Sequence, residues 1–113
     1  MLITTTDHGV TAVITPHGNV DHEALPALLT AASSELPPTV THLTWNFEHS
    51  GFIDVAGLHL LDQQRQACRI AHRTLTVTGL SRQPLRILQL ADELFPAKHW
   101  RDFLPSSQPL TAF

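Results

Sequence analysis

The sequence has one cysteine, Cys68, five scattered glycines, little charge of either sign, and no long apolar run. Each scarcity excludes something. A single cysteine cannot form an internal disulfide, which points to a reducing compartment and predicts the cytoplasm. No apolar stretch approaches the roughly 20 residues of a membrane span, so direct membrane insertion is not expected. The opening Leu2-Ile3-Thr4-Thr5-Thr6-Asp7 lacks the basic and long apolar regions of a signal peptide. The formal net charge is -3, so there is no basic footprint for nucleic acid. No glycines form a G-x-G-x-x-G phosphate loop. Ser33, Ser34, Ser50, Ser81, Ser106 and Ser107 lie in cap or loop contexts, none in a nucleophile elbow. An enzyme would need some such arrangement, so neither catalysis nor a cofactor is expected.

What is present is the pattern of one small globular unit. At 113 residues, 42% hydrophobic and 15% charged, the chain reads as a single domain rather than a disordered segment. The core is expected over about residues 2–103, with 104–113 as a C-terminal tail. Leu2 to Thr6 and Val10 to Thr15 read as strands joined by a tight turn at Asp7-His8-Gly9. Asp21 offers an N-cap to a helix carrying the stripe Leu25, Leu28, Leu29 and Ala32, although Pro26 then sits awkwardly just past the first turn. Leu43, Trp45 and Phe47 alternate with Thr44 and Asn46 in a strand, and Leu75 and Val77 alternate with Thr74, Thr76 and Thr78 in another. Ser81 is placed to cap a helix through Leu85 and Leu88, with Pro84 early enough that its missing N–H costs nothing. Ala97 to Phe103 reads as a last edge strand, because Pro105 and Pro109 argue against a long final helix.

Two of these strands alternate apolar residues with threonine or asparagine. Strands covered on both faces should be nearly continuous apolar runs. Helices are therefore expected mainly on one sheet face, with the other face partly open or covered by the tail.

Eight histidines are many for this length: His8, His17, His22, His42, His49, His59, His72 and His99. None pairs at the i, i+4 spacing of a helical metal site and no cysteine pair accompanies them, so no metal is expected. The pairs that could meet in space are His17 with His22, and His49 with His59. Cys68 lies on the apolar side of its helix, as a buried inert thiol would.

The most informative stretch is Gly51-Phe52-Ile53-Asp54-Val55-Ala56-Gly57-Leu58-His59-Leu60-Leu61. Phe52 and Ile53 can close a loop onto a core. Asp54 is a good N-cap, its carboxylate accepting from the free N–H groups of the next turn. Gly57 removes a side chain where the helix approaches the sheet or a partner. An amphipathic helix then runs to about Ile70, with Gly57, Leu60, Leu61, Gln64, Cys68 and Ala71 near one face and Asp62, Gln63, Gln66 and Arg69 elsewhere on the wheel.

This stretch resembles the central motif of the STAS domain, the family of the anti-sigma factor antagonists. In that family a hydrophobic strand leads through a short loop to Phe-Ile-Asp, two small hydroxyl residues, and Gly-Leu opening a helix. Phe52, Ile53, Asp54, Gly57 and Leu58 fit; the hydroxyl positions are Val55 and Ala56. A serine or threonine of that pair is the family's phosphorylation site, and neither residue here can carry a phosphate. Gly18-Asn19-Val20-Asp21 occupies the place of a Gly-x-Leu-Asp segment common in the family, and Asn46 stands where an aspartate often lies eight positions before the motif aspartate. The resemblance covers Val10 to Phe95.

The resemblance implies an α/β fold with a four- to five-stranded mixed sheet and helices mainly on one face. It implies a non-catalytic interaction module that docks a kinase-like anti-sigma factor ATPase through Phe52, Asp54, Val55, Ala56, Gly57, Leu58 and His59, with the phospho-switch lost at Val55 and Ala56. A second reading rests on the Asp-x-Ala-Gly-Leu motif of STAS-like accessory subunits of lipid-export transporter ATPases, which Asp54–Leu58 resembles. A third has the open sheet face hold a small ligand. An uncovered sheet face or edge would also allow a homodimer.

Overall fold

The computed structural model describes residues 1–105. Two threonine-rich strands, Leu2–Thr6 (β1) and Thr11–Thr15 (β2), pair antiparallel with Thr6 opposite Thr11. The expected turn joins them: Asp7, His8 and Gly9 all take positive φ, at 56°, 59° and 84°. Left-handed backbone of this kind matches the right-handed twist of a hairpin. His42–Asn46 (β3) lies parallel to β2, and Thr74–Thr78 (β4) lies parallel to β3. The sheet order is therefore β1-β2-β3-β4. The helices Leu25–Ser34 (α1) and Val55–Ile70 (α2) make the parallel crossovers, and Arg82–Leu94 (α3) follows β4.

Strand side chains alternate between faces. Ala12, Ile14, Leu43 and Trp45 are buried, and they share one core with Leu28 of α1, Leu60 and Leu61 of α2 and Leu88 of α3. Thr4, His42, Thr74 and Thr76, on the opposite face, are exposed. The helices thus cover one face, as the alternation with threonine required. Trp45 is fully buried, and its indole N–H donates to Gln64 Oε1 on α2 at 3.2 Å. This explains a glutamine on the apolar face of α2, because an unpaired buried donor costs about 1–3 kcal/mol.

Three expectations need correction. The first helix starts at Leu25, not at Asp21. Asp21 Oδ1 does accept from Ala24 N–H at 3.0 Å, but it caps the turn over residues 22–24 that leads into the helix. Pro26 has no N–H with which to continue a helix begun at Asp21, so the regular helix starts where proline falls in its first turn. Ser81 occupies the N-cap position of α3 without a side-chain capping bond. Ala97 to Phe103 form no edge strand. They make two 3₁₀ turns, Pro96–Lys98 and Trp100–Phe103, hinged at His99 with φ +56°. The buried residues there are Trp100 and Phe103, an i, i+3 pair that suits a helical turn and not the two-residue period of a strand. The sheet of the described residues has four strands. Residues 106–113, most of the expected tail, lie outside the described residues.

Candidate functional site: the motif loop and the start of the second helix

β2, β3 and β4 run the same way, so the loops after them gather at one end of the sheet. The motif loop is fixed there from both sides. On the β2 side, Gly18 N–H donates to His49 C=O at 3.0 Å and Ser50 Oγ donates to Pro16 C=O at 3.2 Å. Val20 N–H donates to Phe52 C=O at 3.0 Å and Asp54 N–H to Val20 C=O at 3.3 Å, closing a parallel bridge between Val20 and Ile53. On the α3 side, Gln83 Oε1 accepts from Ile53 N–H at 2.9 Å and Gln83 Nε2 donates to Ile53 C=O at 2.8 Å. One glutamine thus pairs with both backbone groups of a single residue, as a neighbouring strand would.

Gly79, at φ +73°, closes the same end: a Cβ there would meet Asn46 Oδ1 at 2.5 Å and Glu48 N at 2.6 Å. Asn46 Oδ1 accepts from Glu48 N–H at 3.0 Å, the turn-forming role its short side chain allows. Of the histidines, His17 stacks on His49, centroids 5.0 Å apart, where the Gly18–His49 bond draws their loops together. Among the described residues no group of three or more His, Cys, Asp or Glu could hold a metal ion, and no helix is long and apolar enough to cross a membrane.

Asp54 is the N-cap of α2, its Oδ1 accepting from Ala56 N–H at 2.8 Å. The next positions divide by orientation. Val55 is 63% exposed, while Ala56 is only 9% exposed and Gly57 is buried. Ala56 is thus not presented at a surface, contrary to its expected place in a docking face. It lies on the inward side of the first turn with Gly57, whose Cβ would stand 2.8 Å from Ile53 Cβ and 3.3 Å from Val20 C=O. Gly57 is there because the helix crosses the motif loop too closely for any side chain. Phe52 is 42% exposed, His59 is exposed and Leu58 is half-buried.

Beside these residues runs an apolar groove of about 470 Å³. Val55, Leu58, His59 and Asp62 form its α2 wall; Ala91 of α3 and Phe95 just past it, with Lys98 and Trp100, form the other. Arg65 holds that second wall in place. Its Nη2 donates to Lys98 C=O at 2.6 Å and its Nη1 to His99 C=O at 3.0 Å, while its guanidinium lies over the rings of Trp100 and Phe103. Sequence reasoning did not place Gln83, Arg65, Phe95 or Trp100 at this site. The i, i+3 spacing of Trp100 and Phe103 was the one local signal available. Cys68 is buried as expected, and burial pushes its thiol pKa up, against a smaller opposing effect of Arg73.

The comparisons with known proteins agree with this architecture. The STAS domain family model matches residues 2–96. Among solved structures, the chain is similar to the anti-sigma factor antagonist SpoIIAA in its unphosphorylated form, with 21% identity over 79% of this chain and 81% of that one and a TM-score of 0.62. It is similar to the Bacillus cell fate determinant SpoIIAA in the phosphorylated form, with 18% identity over 98% and 96% of the two chains and a TM-score of 0.61. A third similarity, to Mglu in its native form, has 13% identity and a TM-score of 0.52, and covers 67% of this chain but 22% of that one. No curated protein matches the chain. Identities this low show a shared fold, whereas the family match runs from β1 past the end of α3. On that match the chain belongs to the STAS domain family.

Proposed function

We propose that this chain is a non-catalytic interaction module that docks a partner ATPase of the kinase-type anti-sigma class. The docking surface is the outward side of the Asp54–Gly57 loop, where Val55 is exposed, and the following turns of α2, and it carries no phosphate switch at the motif. The observation that supports this reading is Val55. It is the one residue of the Val55-Ala56 pair that faces solvent, and it is apolar where the family places a hydroxyl. A phosphate would bring about -1.5 to -2 charges to that point, and a desolvated interface tolerates such a charge badly. Valine supplies neither the charge nor an oxygen to carry it.

An exposed valine alone is ordinary. Val55 here adjoins the apolar groove formed with Leu58 and Phe95, and Phe52 is exposed on the preceding loop. Burying an aliphatic or aromatic side chain stabilises by about 1.5–3 kcal/mol, so this surface favours a lasting contact. Ser50, the nearest hydroxyl in the motif loop, is fully buried with its Oγ bonded to Pro16, and offers no substitute phosphate site. SpoIIAA, by contrast, is known in phosphorylated and unphosphorylated forms.

A second reading keeps the surface and changes the partner. The Asp54-Val55-Ala56-Gly57-Leu58 motif also suits an accessory subunit of a lipid-transporter ATPase. A pull-down from the source cell's lysate with the native chain and Val55→Glu separates the readings. Glutamate in the first turn of a helix is favoured by the helix dipole, so the variant should fold. Recovery of a kinase-like ATPase by the native chain but not by Val55→Glu is the expected result. Recovery of a membrane transporter ATPase transfers the assignment to the second reading. Equal recovery of the kinase-like ATPase by both baits would sink the proposed surface.

A further inference from the structure

At the edge of the sheet farthest from β1, the outer side of β4 is paired with no strand of the described residues. Its ladder with β3 begins where Thr74 N–H donates to Thr41 C=O at 2.9 Å and ends where Phe47 N–H donates to Thr78 C=O at 2.9 Å. Backbone groups alternate along a strand, so Thr74, Thr76 and Thr78 are turned to β3. The N–H and C=O groups of Leu75 and Val77 are turned outward, where no strand of the described residues meets them. Natural sheet edges are commonly blunted by lysine, proline or a bulge. Thr74-Leu75-Thr76-Val77-Thr78 has no lysine or proline, and its register with β3 runs without interruption.

The ground beside this edge is built. On the helix side, Leu75 and Val77 stay half-buried and, with Cys68 and Phe103, floor an open groove of about 370 Å³. Arg65, Arg69, Arg73 and Asp102 rim it. The Arg65 cation is balanced by Asp62 and Asp102, each at 3.5 Å. Arg73 donates to the carbonyls of Val40 and Pro37, and Arg69 is exposed. Neither Arg69 nor Arg73 has a carboxylate partner among the described residues. The groove therefore joins four outward backbone groups, an apolar floor and two uncompensated guanidinium groups.

We infer that the outer edge of β4 receives an extended segment of a partner protein as a fifth strand, apolar at the two positions over Leu75 and Val77 and carboxylate-bearing at the position beside Arg73 and Arg69. All three of those side chains lie on the helix side, two residues apart, because a strand's side chains alternate between faces. The residues between them face the threonine-lined side and are polar. A second copy of this chain fits less well. A two-fold pairing of β4 with β4 would bring the two pairs of uncompensated arginines onto the same side of the joined sheet, with no added carboxylate. This surface lies at the sheet edge and is separate from the proposed docking face at Val55.

The test uses the isotope-labelled full chain, amide hydrogen exchange and titration with blocked peptides. The probes are Glu-Thr-Val-Thr-Val and its reverse order, which cover both strand directions, and the same peptides with lysine for glutamate. In the free chain, the Leu75 and Val77 amides should exchange faster than those of Thr74 and Thr76. One of the glutamate peptides should protect Leu75 and Val77. The lysine peptide and the Arg69→Glu variant should each weaken that binding by about fivefold or more at low salt. Arg69 is exposed, so this variant should keep its fold, which the exchange pattern of the core strands verifies. The inference is overturned if Leu75 and Val77 are already protected in the free chain, because residues 106–113 or a second copy would then hold the edge. It is overturned as well if neither glutamate peptide protects them, or if the lysine peptides bind equally.

Discussion

At Gly57 the fold leaves a hydrogen atom where any other residue would put carbon. Alanine there would gain about 1 kcal/mol of helix propensity. It would also place its Cβ 2.8 Å from Ile53 Cβ, a branch point with no freedom to swing aside. Overpacking of this kind costs about 1–3 kcal/mol. Gly57→Ala should therefore lower the urea midpoint with an unchanged m-value, by about 1 kcal/mol net. A gain in stability would mean that α2 does not cross the motif loop as closely as described.

Cys68 supplies a pH dependence. Burial raises its folded pKa above the ordinary 9.0, so the neutral thiol is the form the fold keeps. The unfolded thiol loses its proton first as the pH rises. Stability from this group is thus fully present below about 9.0 and declines as the pH climbs from there through the raised folded value. Comparing chemical denaturation of the native chain and Cys68→Ala from neutral to alkaline pH isolates this contribution. The loss above pH 9.0 should be steeper in the native chain.

Single residues also set the limit of what the sequence revealed. Asp54 as a cap and Gly57 as a close-packing glycine were legible, because both roles follow from local chemistry. The inward turn of Ala56 was not. Whether an alanine one position from an exposed valine faces solvent depends on where the helix lies over Val20 and Ile53.

At the level of elements, what positions the motif is a contact thirty residues away in sequence. Gln83 pairs with the N–H and C=O of Ile53. Gln83→Ala should leave two half-buried backbone groups unpaired, at a cost of about 1–3 kcal/mol. The Ile53 amide should then exchange at least about tenfold faster while the amides of β2 and β3 keep their rates. An unchanged Ile53 rate would show that the bridge to Val20 fixes the loop by itself. No pattern of spacing announces such a bond, since a glutamine in the first turn of a helix is ordinary surface by every local criterion. The strands and α2 were readable because their periodicities are strong and their ends carry Asp54, Gly79 and the Asp7-His8-Gly9 turn. The start of α1 was displaced by Pro26, and Ala97 to Phe103 was misread as an edge strand because the single i, i+3 pair of Trp100 and Phe103 is too short a run to set a period.

Across the whole molecule, the one-sided sheet was legible in the alternation of apolar residues with threonine. It divides the surface into a helix layer, a threonine-lined face and the loop end that carries the motif. At that loop end the proposed docking surface presents Val55, a side chain with no hydroxyl to phosphorylate. The measurement to make is the fate of the complex between this chain and the proposed ATPase partner when ATP is added, followed by intact mass and by dissociation, for the native chain and Val55→Ser. The native chain should gain no phosphate and stay bound, whereas Val55→Ser should gain one phosphate and be released. A native chain that is phosphorylated and leaves its partner, or a Val55→Ser chain that is phosphorylated and stays bound, would contradict the proposal.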